Sequence, residues 1–327
     1  MLLKYGSSLH SKIFRIKDRN INQHVNRMSW FSIYTTTAVL YFLQISFFTF
    51  PSLFTWLISL NTTVSWFNTR RLAFAIVFSM WLEAIFWVAQ LLNYLITKNR
   101  SLFKQFTIPK THVKYPSPTL INTALSDTIS GHLLRPFLLW LVYPVYQWRG
   151  CFSAATPAPT VVVAQLMFCI LVDDGLFYWS HRLLHENRWL YHTIHKQHHQ
   201  FRYSVGLAVE YAHPVEDLLS NTIPTVLGAL LLGSHVSVAF GYMAMKVWQS
   251  IDAHCGFLLP FPLSPWNVLP GMDCALAHDF HHSHNMGCYG GFFVWWDVLC
   301  GTDKAYRKSL GKRKTTAHEI SGAMKEH

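Results

Sequence analysis

Residues 72–96, LAFAIVFSMWLEAIFWVAQLLNYLI, form an apolar run that is long enough to cross a bilayer as a helix. A comparable run, WFSIYTTTAVLYFLQISFFTF, occupies residues 30–50 and predicts another span. Glu83 lies inside the 72–96 run, where a charge is costly unless it is neutralised or paired within a helix bundle. The two runs therefore predict an integral membrane protein whose helices pack against one another.

The composition agrees with a membrane location. The chain has 327 residues, of which 51% are hydrophobic and only 13% are charged, too apolar a mixture for an ordinary soluble domain. The formal net charge of +11 could indicate nucleic acid, but the basic residues flank apolar runs instead of alternating with aromatic side chains. We therefore expect a lipid bilayer and no nucleic acid among the partners.

Further apolar segments follow the first two. Residues 132–148 are short for a span and contain Arg135, whereas residues 159–179 would cross the membrane if two acidic residues in that segment are satisfied within the protein. These two segments could form a hairpin turned at RGCFSAATPAP, and residues 215–254 could form another, broken at Gly233 and Ser234. The predicted fold is all-α: an integral membrane bundle of about four to six apolar helices with a cytosolic, histidine-rich di-metal cap.

The positive charges predict the orientation. Basic residues precede the 30–50 run and follow the 72–96 run, so both flanks should be cytosolic, although Arg70 and Arg71 between the runs oppose this. If each later hairpin returns to its starting side, the histidine clusters are cytosolic as well. A glycosylation sequon at Asn61 would then face the lumen. The N-terminal sequence lacks the features of a cleaved secretory signal, and the six cysteines, without a C-x-x-C pair, should be reduced thiols.

Three histidine clusters have the spacing of metal ligands. They read HRLLH at 181–185, HKQHH at 195–199 and HDFHH at 278–282. On a helix, residues at i, i+3 and i+4 share one face, so their imidazoles can converge on a metal ion. The predicted ligands are His181, His185, His195, His198, His199, His278, His281 and His282.

The number of histidines predicts two metals. Eight protonated rings in one small volume would repel one another, whereas neutral rings around metal ions would not. A structural tetrahedral zinc site needs four ligands, so eight indicate a dinuclear centre. The residue count does not name the metal, because imidazole shells with open positions suit iron in oxygen chemistry as well as zinc.

Four other residues are candidates for the same site. His254 ends an apolar segment on the predicted side of the clusters, and we expect it to be a ninth ligand. Asp174 lies on the helix face of the first cluster and could accept the remaining N–H of a ligand histidine. His213 and His284 could each be a ligand, a hydrogen-bonding neighbour or a solvated residue.

The clusters and their surroundings resemble the membrane-bound sterol desaturase and fatty acid hydroxylase superfamily. Over roughly residues 160–307, the chain is most similar to the C-4 methylsterol oxidases and their fatty acid hydroxylase domain relatives. The segments that carry this similarity are DDGLFYWSHRLLH, IHKQHH, EYAHPVE, GSHVSV, HCGF, HDFHHSHN and WWDVLCGTDKAYRK. Departures are Asp173 where a Glu is expected, Gln200 where an acid is common, and the additional His192 and His284. None of them removes a predicted ligand.

This resemblance implies an oxidoreductase of the endoplasmic reticulum membrane, an O2-dependent di-iron monooxygenase. It implies two iron ions held by the eight cluster histidines and His254, with electrons from NAD(P)H through cytochrome b5 or a similar carrier. The implied division is a basic cytosolic segment at 1–29, a membrane region at 30–158, a catalytic domain at 159–303 and a polar cytosolic tail at 304–327.

The leading prediction for the substrate is the C-4 methyl group of 4-methylsterols in sterol biosynthesis. A sterol C-5 desaturase, a fatty acid or sphingolipid hydroxylase and an aldehyde-processing enzyme are alternatives within the superfamily. A membrane scaffold or regulator without turnover and a zinc transporter are alternatives outside it. The transporter would need its ligands at mid-bilayer depth, whereas the clusters lie beside the cytosolic ends of the predicted helices.

Overall fold

The computed structural model describes residues 69–110, 113–153, 155–260, 263–264, 266 and 274–310. The predicted span at 30–50, the basic segment at 1–29, the sequon at Asn61 and the tail from residue 311 lie outside the described residues.

Helices dominate the described part of the chain. They are α1 (Thr69–Lys98), α2 (Pro118–Trp148), α3 (Pro159–Glu186), α4 (Pro214–Leu232), α5 (Val236–His254), α6 (Cys274–His284) and α7 (Trp295–Cys300). The β-type pairing in the described residues is a single bridge between Thr107 and Phe257. The predicted all-α fold is confirmed.

Three of these helices are long and apolar enough to cross a membrane: α1 over Arg70–Lys98, α3 over Pro159–Glu186, and α4 over Pro214–Leu232. The helix that contains the 132–148 run, α2, starts much earlier than that run and does not meet this condition, and neither does α5. The chain is thus a membrane protein with a helical bundle.

Local sequence sets the helix ends. The Ser117 hydroxyl accepts a hydrogen bond from the Leu120 N–H at 3.2 Å, and Pro118 follows at the first helical position, so α2 begins there. Gly233 has φ +59°, the left-handed conformation that ends a helix, and it closes α4. The predicted break at Gly233 is confirmed.

An ion-pair cluster joins α1 to α2. Glu83 lies 2.6 Å from the Arg135 guanidinium and 2.7 Å from Nδ1 of His132, and it accepts a hydrogen bond from the Trp87 indole at 3.0 Å. The charge is therefore paired within the helix bundle, as predicted.

Packing of α3 differs from the predicted hairpin. The turn between α2 and α3 lies where RGCFSAATPAP predicts it, but α2 packs mainly on α1 and α3 mainly on α4. Gly228 on α4 makes this close approach possible, since a Cβ there would lie 2.7 Å from the Cα of Cys169. Of the two acids on α3, Asp173 accepts hydrogen bonds from the Tyr242 hydroxyl at 2.7 Å and the Lys246 ammonium at 3.1 Å.

The largest buried cluster connects α1, α2, α3 and α5. It is rich in aromatic side chains, among them Phe74, Phe78, Tyr146 and Phe292. The cysteines of the described side chains are free thiols, as predicted. Histidines near the C-terminal ends of α3, α5 and α6 come together in the same part of the chain's fold.

Candidate metal centre

Nine histidines converge in two groups, and they are the nine that the sequence predicts as ligands. Within each group the candidate nitrogens all lie within 4.8 Å of one another. Site 1 consists of His181, His185, His195, His199 and His281. Site 2 consists of His198, His254, His278 and His282. Each group could hold one metal ion.

The two H-x-x-H-H clusters each serve both sites. The residues at i and i+4 of HKQHH, His195 and His199, belong to site 1, whereas the residue at i+3, His198, belongs to site 2. In HDFHH the assignment is reversed: i and i+4 lie in site 2 and His281 at i+3 lies in site 1. The i and i+4 rings reach one centre together, and the i+3 ring turns to the other.

The second cluster does not lie on a regular α-helix. A π-type turn covers Tyr191–His195, and a short 3-10 turn covers His198–Gln200. The expectation that HKQHH occupies one helix is therefore wrong in detail, although the spacing still divides its three rings between two centres. HDFHH does lie on α6, and HRLLH on the last turns of α3.

Hydrogen bonds fix the tautomer of most of these rings. Backbone carbonyls only accept, so an Nδ1 beside one must carry the proton, which leaves Nε2 free to bind a metal. The carbonyls belong to Tyr289 for His181 (3.0 Å), Tyr211 for His198 (3.3 Å), Ser250 for His254 (2.8 Å), Gly287 for His281 (2.6 Å) and Phe201 for His282 (3.0 Å).

Neighbouring Nε2 atoms have the spacing of ligands around a cation. The closest pairs lie 2.7–3.1 Å apart among His185, His195, His199 and His281 of site 1, and 2.9–3.4 Å apart in site 2. Two nitrogens that bind one metal at about 2.1 Å and about 90–110° are separated by about 3.0–3.4 Å. His254 and His282 each carry the proton on Nδ1, so two lone pairs face each other at 3.2 Å. A bound cation removes that repulsion, and the donor set fits a metal at each site.

Electrostatics keeps the rings neutral. Burial lowers the pKa of His198 to about 4, and burial together with neighbouring imidazoles lowers the pKa of His278, His281 and His282 well below the usual value. Neutral imidazole is the form that binds metals. Buried Nε2 of His181, which has no hydrogen-bond partner in the described structure, is likewise available to a metal.

Glu216 is a site residue that the sequence reasoning missed. Its Oε1 accepts a hydrogen bond from Nδ1 of His195 at 2.8 Å, and both side chains are buried. The carboxylate fixes the tautomer and orientation of a site 1 ring, as carboxylates do beside metal-bound histidines. A signal was present in EYAHPVE, where the acid follows His213 on the first turn of α4.

Three predicted neighbours lie elsewhere. Asp174 accepts from the backbone N–H groups of Phe292 (2.8 Å) and Phe293 (3.0 Å), so it anchors that loop and no ligand histidine. His213 accepts from the Val215 N–H and caps α4, and His284 stacks on Phe280. Neither histidine belongs to the two groups.

A cavity touches both sites. It reaches His181 and His195 of site 1 and His198, His254 and His278 of site 2. Apolar walls come from Phe177 on α3, Val209, and Ala253 on α5. Polar groups also face it, among them Glu216 and Lys246. A molecule in this cavity would contact both metal positions at once.

Comparison with known proteins places the chain in a family. The family model described as fatty acid hydroxylase matches residues 166–302. A very-long-chain aldehyde decarbonylase of Oryza sativa subsp. indica is 35% identical over 244 residues, which cover 72% of this chain and 88% of that protein. The chain belongs to the fatty acid hydroxylase family.

Other members of the fatty acid hydroxylase family match with similar identity. Methylsterol monooxygenase 2-2 of Arabidopsis thaliana is 37% identical over 206 residues, 60% of this chain and 76% of that protein. Methylsterol monooxygenase 1 of Rattus norvegicus is 39% identical over 157 residues, 46% of this chain and 52% of that protein. No solved structure matches the chain significantly. This family member is an oxidoreductase, since its relatives are named as monooxygenases and decarbonylases.

Proposed function

We propose that the protein is an O2-dependent di-iron monooxygenase that oxidises the C-4 methyl group of 4-methylsterols. The observation that carries the proposal is the cavity that touches five histidines of the two sites and has Phe177 of the membrane-length helix α3 in its wall. Such a cavity would let the reacting carbon of a membrane lipid lie beside both metals. The methylsterol monooxygenases among the relatives support a sterol.

Iron fits the residues better than a structural metal would. Four or five neutral imidazoles with a cavity against them leave coordination positions open, and such shells suit iron in oxygen chemistry. When bound, the two irons would supply activation of O2 and oxidation of the C–H bond. Each hydroxylation would consume one O2, two electrons and two protons, and would yield the alcohol and one water.

The chain's own residues have simpler tasks. The carbonyl-bound rings of His181, His254 and His281 keep their Nε2 atoms aimed at the sites, so little reorganisation is needed. Phe177 and Val209 give the cavity apolar walls, which would favour a lipid over water beside the sites. No side chain has to act as a nucleophile or as an acid–base pair in this scheme.

The surroundings of the reaction follow from the same proposal. Electrons would come from NAD(P)H through cytochrome b5 or a similar carrier. The protein would lie in the endoplasmic reticulum membrane as a multi-pass protein with its N-terminus and histidine clusters in the cytosol. The catalytic domain would be 159–303, a range that contains the matched residues 166–302, with a polar tail at 304–327.

A second candidate is aldehyde processing, because the rice decarbonylase matches over the longer stretch of the chain. Purified protein loaded with iron and supplied with NADH, cytochrome b5 reductase and cytochrome b5 separates the two. We expect a 4,4-dimethylsterol to be oxidised and a very-long-chain aldehyde to be left unchanged, with the 4-methyl alcohol detected by mass spectrometry. The same assay with C-5 saturated sterols and with fatty acids tests the remaining superfamily activities.

Two variants make the assay specific. His198→Ala removes a site 2 ring and should abolish turnover, whereas His192→Ala changes an exposed histidine outside both groups and should keep it. Conversion of the aldehyde alone would replace the sterol proposal by the decarbonylase one. Stoichiometric zinc with no turnover of any lipid would contradict the enzymatic proposal itself.

A further inference from the structure

We propose that Glu216 binds the substrate through a hydroxyl group on the ring carbon next to the one that bears the oxidised methyl group. The inference rests on the proposed function, because it assigns the group that recognises the 3-hydroxyl of a 4-methylsterol. It makes Glu216 a residue that determines which lipid the protein accepts.

The two carboxylate oxygens of Glu216 differ in their surroundings. Oε1 is held by Nδ1 of His195 at 2.8 Å. Oε2 is buried, and it has no hydrogen-bond partner among the residues that the structure describes. The side chain is only 6% exposed, and the residue lines the cavity between the sites.

A buried oxygen without a partner costs free energy that a ligand can recover. Burial alone disfavours the ionised form of Glu216, whereas a cation held at site 1 would favour it. The ionised carboxylate offers only acceptor sites, so the group that satisfies Oε2 must bring a donor. A hydroxyl does so, whereas an aldehyde, a ketone, an ether or an alkyl chain brings none. The cavity is therefore complementary to a lipid that carries a hydroxyl close to its reacting methyl group.

Two other polar side chains of the cavity wall, both on α5, are already engaged. The Lys246 ammonium is paired with Asp173 at 3.1 Å, and the Gln249 amide donates to the Gly291 carbonyl at 3.1 Å. Glu216 thus offers an acceptor that protein contacts leave open on this wall of the cavity.

The position of Glu216 suits this role. Nε2 of His195 faces site 1, and Nδ1 of the same ring faces Glu216. The carboxylate therefore lies one imidazole ring away from the metal position. In a 4-methylsterol, the hydroxyl oxygen on C-3 and the methyl carbon on C-4 are separated by three bonds. A sterol whose hydroxyl donates to Oε2 would place that methyl group between the carboxylate and the two sites, close enough for reaction.

The test compares two sterols that differ only at C-3. One is a 4,4-dimethylsterol with its 3β-hydroxyl, and the other is its 3-methyl ether. A hydrogen bond to a charged group corresponds to a preference of about 10- to 100-fold, so we expect that ratio of kcat/KM in the wild-type protein. In Glu216→Ala the ratio should fall to about one, and in Glu216→Gln, where a neutral acceptor remains, to about 3-fold.

The ratio of the two kcat/KM values separates recognition of the substrate hydroxyl by Glu216 from the hydrogen bond that Glu216 makes to His195. Damage to site 1 lowers turnover of both sterols equally and leaves their ratio unchanged. Glu186→Gln, an exposed carboxylate next to His185, is the matched control and should keep the wild-type ratio. Dissociation constants of both sterols for zinc-loaded protein, measured by tryptophan fluorescence quenching, should show the same preference and the same loss in the Glu216 variants without turnover.

The outcomes separate the two proposals. If the wild-type protein oxidises and binds both sterols equally, or if Glu216→Ala keeps the preference, the assignment of Glu216 is overturned while sterol oxidation stands. If neither sterol is bound or oxidised, the sterol function itself fails and takes the Glu216 assignment with it.

Discussion

Paired substitutions in HDFHH should remove one metal or weaken both, depending on which two histidines change. His278 and His282 belong to site 2, and His281 belongs to site 1. His278→Ala/His282→Ala leaves two of four rings at site 2 and all five at site 1. His278→Ala/His281→Ala leaves three rings at site 2 and four rings at site 1. The two double variants remove the same number of imidazoles from the same helix, so only the division between sites distinguishes them.

The number of ligands lost at each site sets the size of the difference. Loss of a group that merely orients a ligand lowers metal affinity about 10- to 100-fold, so loss of a ligand itself should cost at least about 100-fold. Two losses at site 2 amount to about 10⁴-fold, or about 5.6 kcal/mol at 1.4 kcal/mol per decade. The first double variant should therefore keep one ion with wild-type affinity and lose the other. The second should keep none with wild-type affinity, because each site is weakened about 100-fold.

Metal content after dialysis against graded chelator concentrations, measured by mass spectrometry, distinguishes these outcomes. His284→Ala is the matched control on the same helix and should retain two ions, since His284 lies outside both groups. His195→Ala/His199→Ala should behave like the first double variant, with site 2 left intact. The division would be refuted if His278→Ala/His282→Ala lost both ions, or if His278→Ala/His281→Ala kept one at wild-type affinity.

Three further outcomes concern stability. Glu83→Gln should cost about 1–3 kcal/mol because it weakens the hydrogen bonds to the buried His132 and the half-buried Arg135, whereas Glu186→Gln, in an exposed pair, should cost under about 1 kcal/mol; thermal unfolding in detergent compares them. Gly228→Ala should lower the Tm because its Cβ would lie 2.7 Å from the α3 backbone, while Gly131→Ala, with nothing within 4 Å, should not. Metal-free protein should lose stability as the pH falls from 6.5 to about 4, because the unfolded chain protonates His198 before the folded one does; a flat Tm across that range would contradict the buried, neutral ring.

Local patterns predicted much of the fold. Hydropathy located α1 and α3, and Gly233 marked the end of α4. The start of α2 was missed, because the residues between Ser117 and Gly131 include several polar side chains that hide a helix from a hydropathy criterion. Its capping serine and first-turn proline were the available signals.

Spacing predicted which histidines come together but not how they divide. The offsets i, i+3 and i+4 are local, whereas the assignment of His198 to site 2 depends on how α5 and α6 cross beside it. Glu216 was missed for a related reason. It reaches His195 only because α4 packs against α3 and the adjoining π-type turn, a contact between segments that no local pattern encodes.

The pairing of Glu83 with Arg135 has a consequence for the biogenesis of the protein. A lone acidic residue near the middle of a nascent segment costs about 2.5–3.5 kcal/mol when the translocon releases it into lipid. Its partner is synthesised 52 residues later, so α1 emerges from the ribosome well before its neutralising charge. Helix α1 should therefore be held at the translocon until α2 arrives and supplies Arg135.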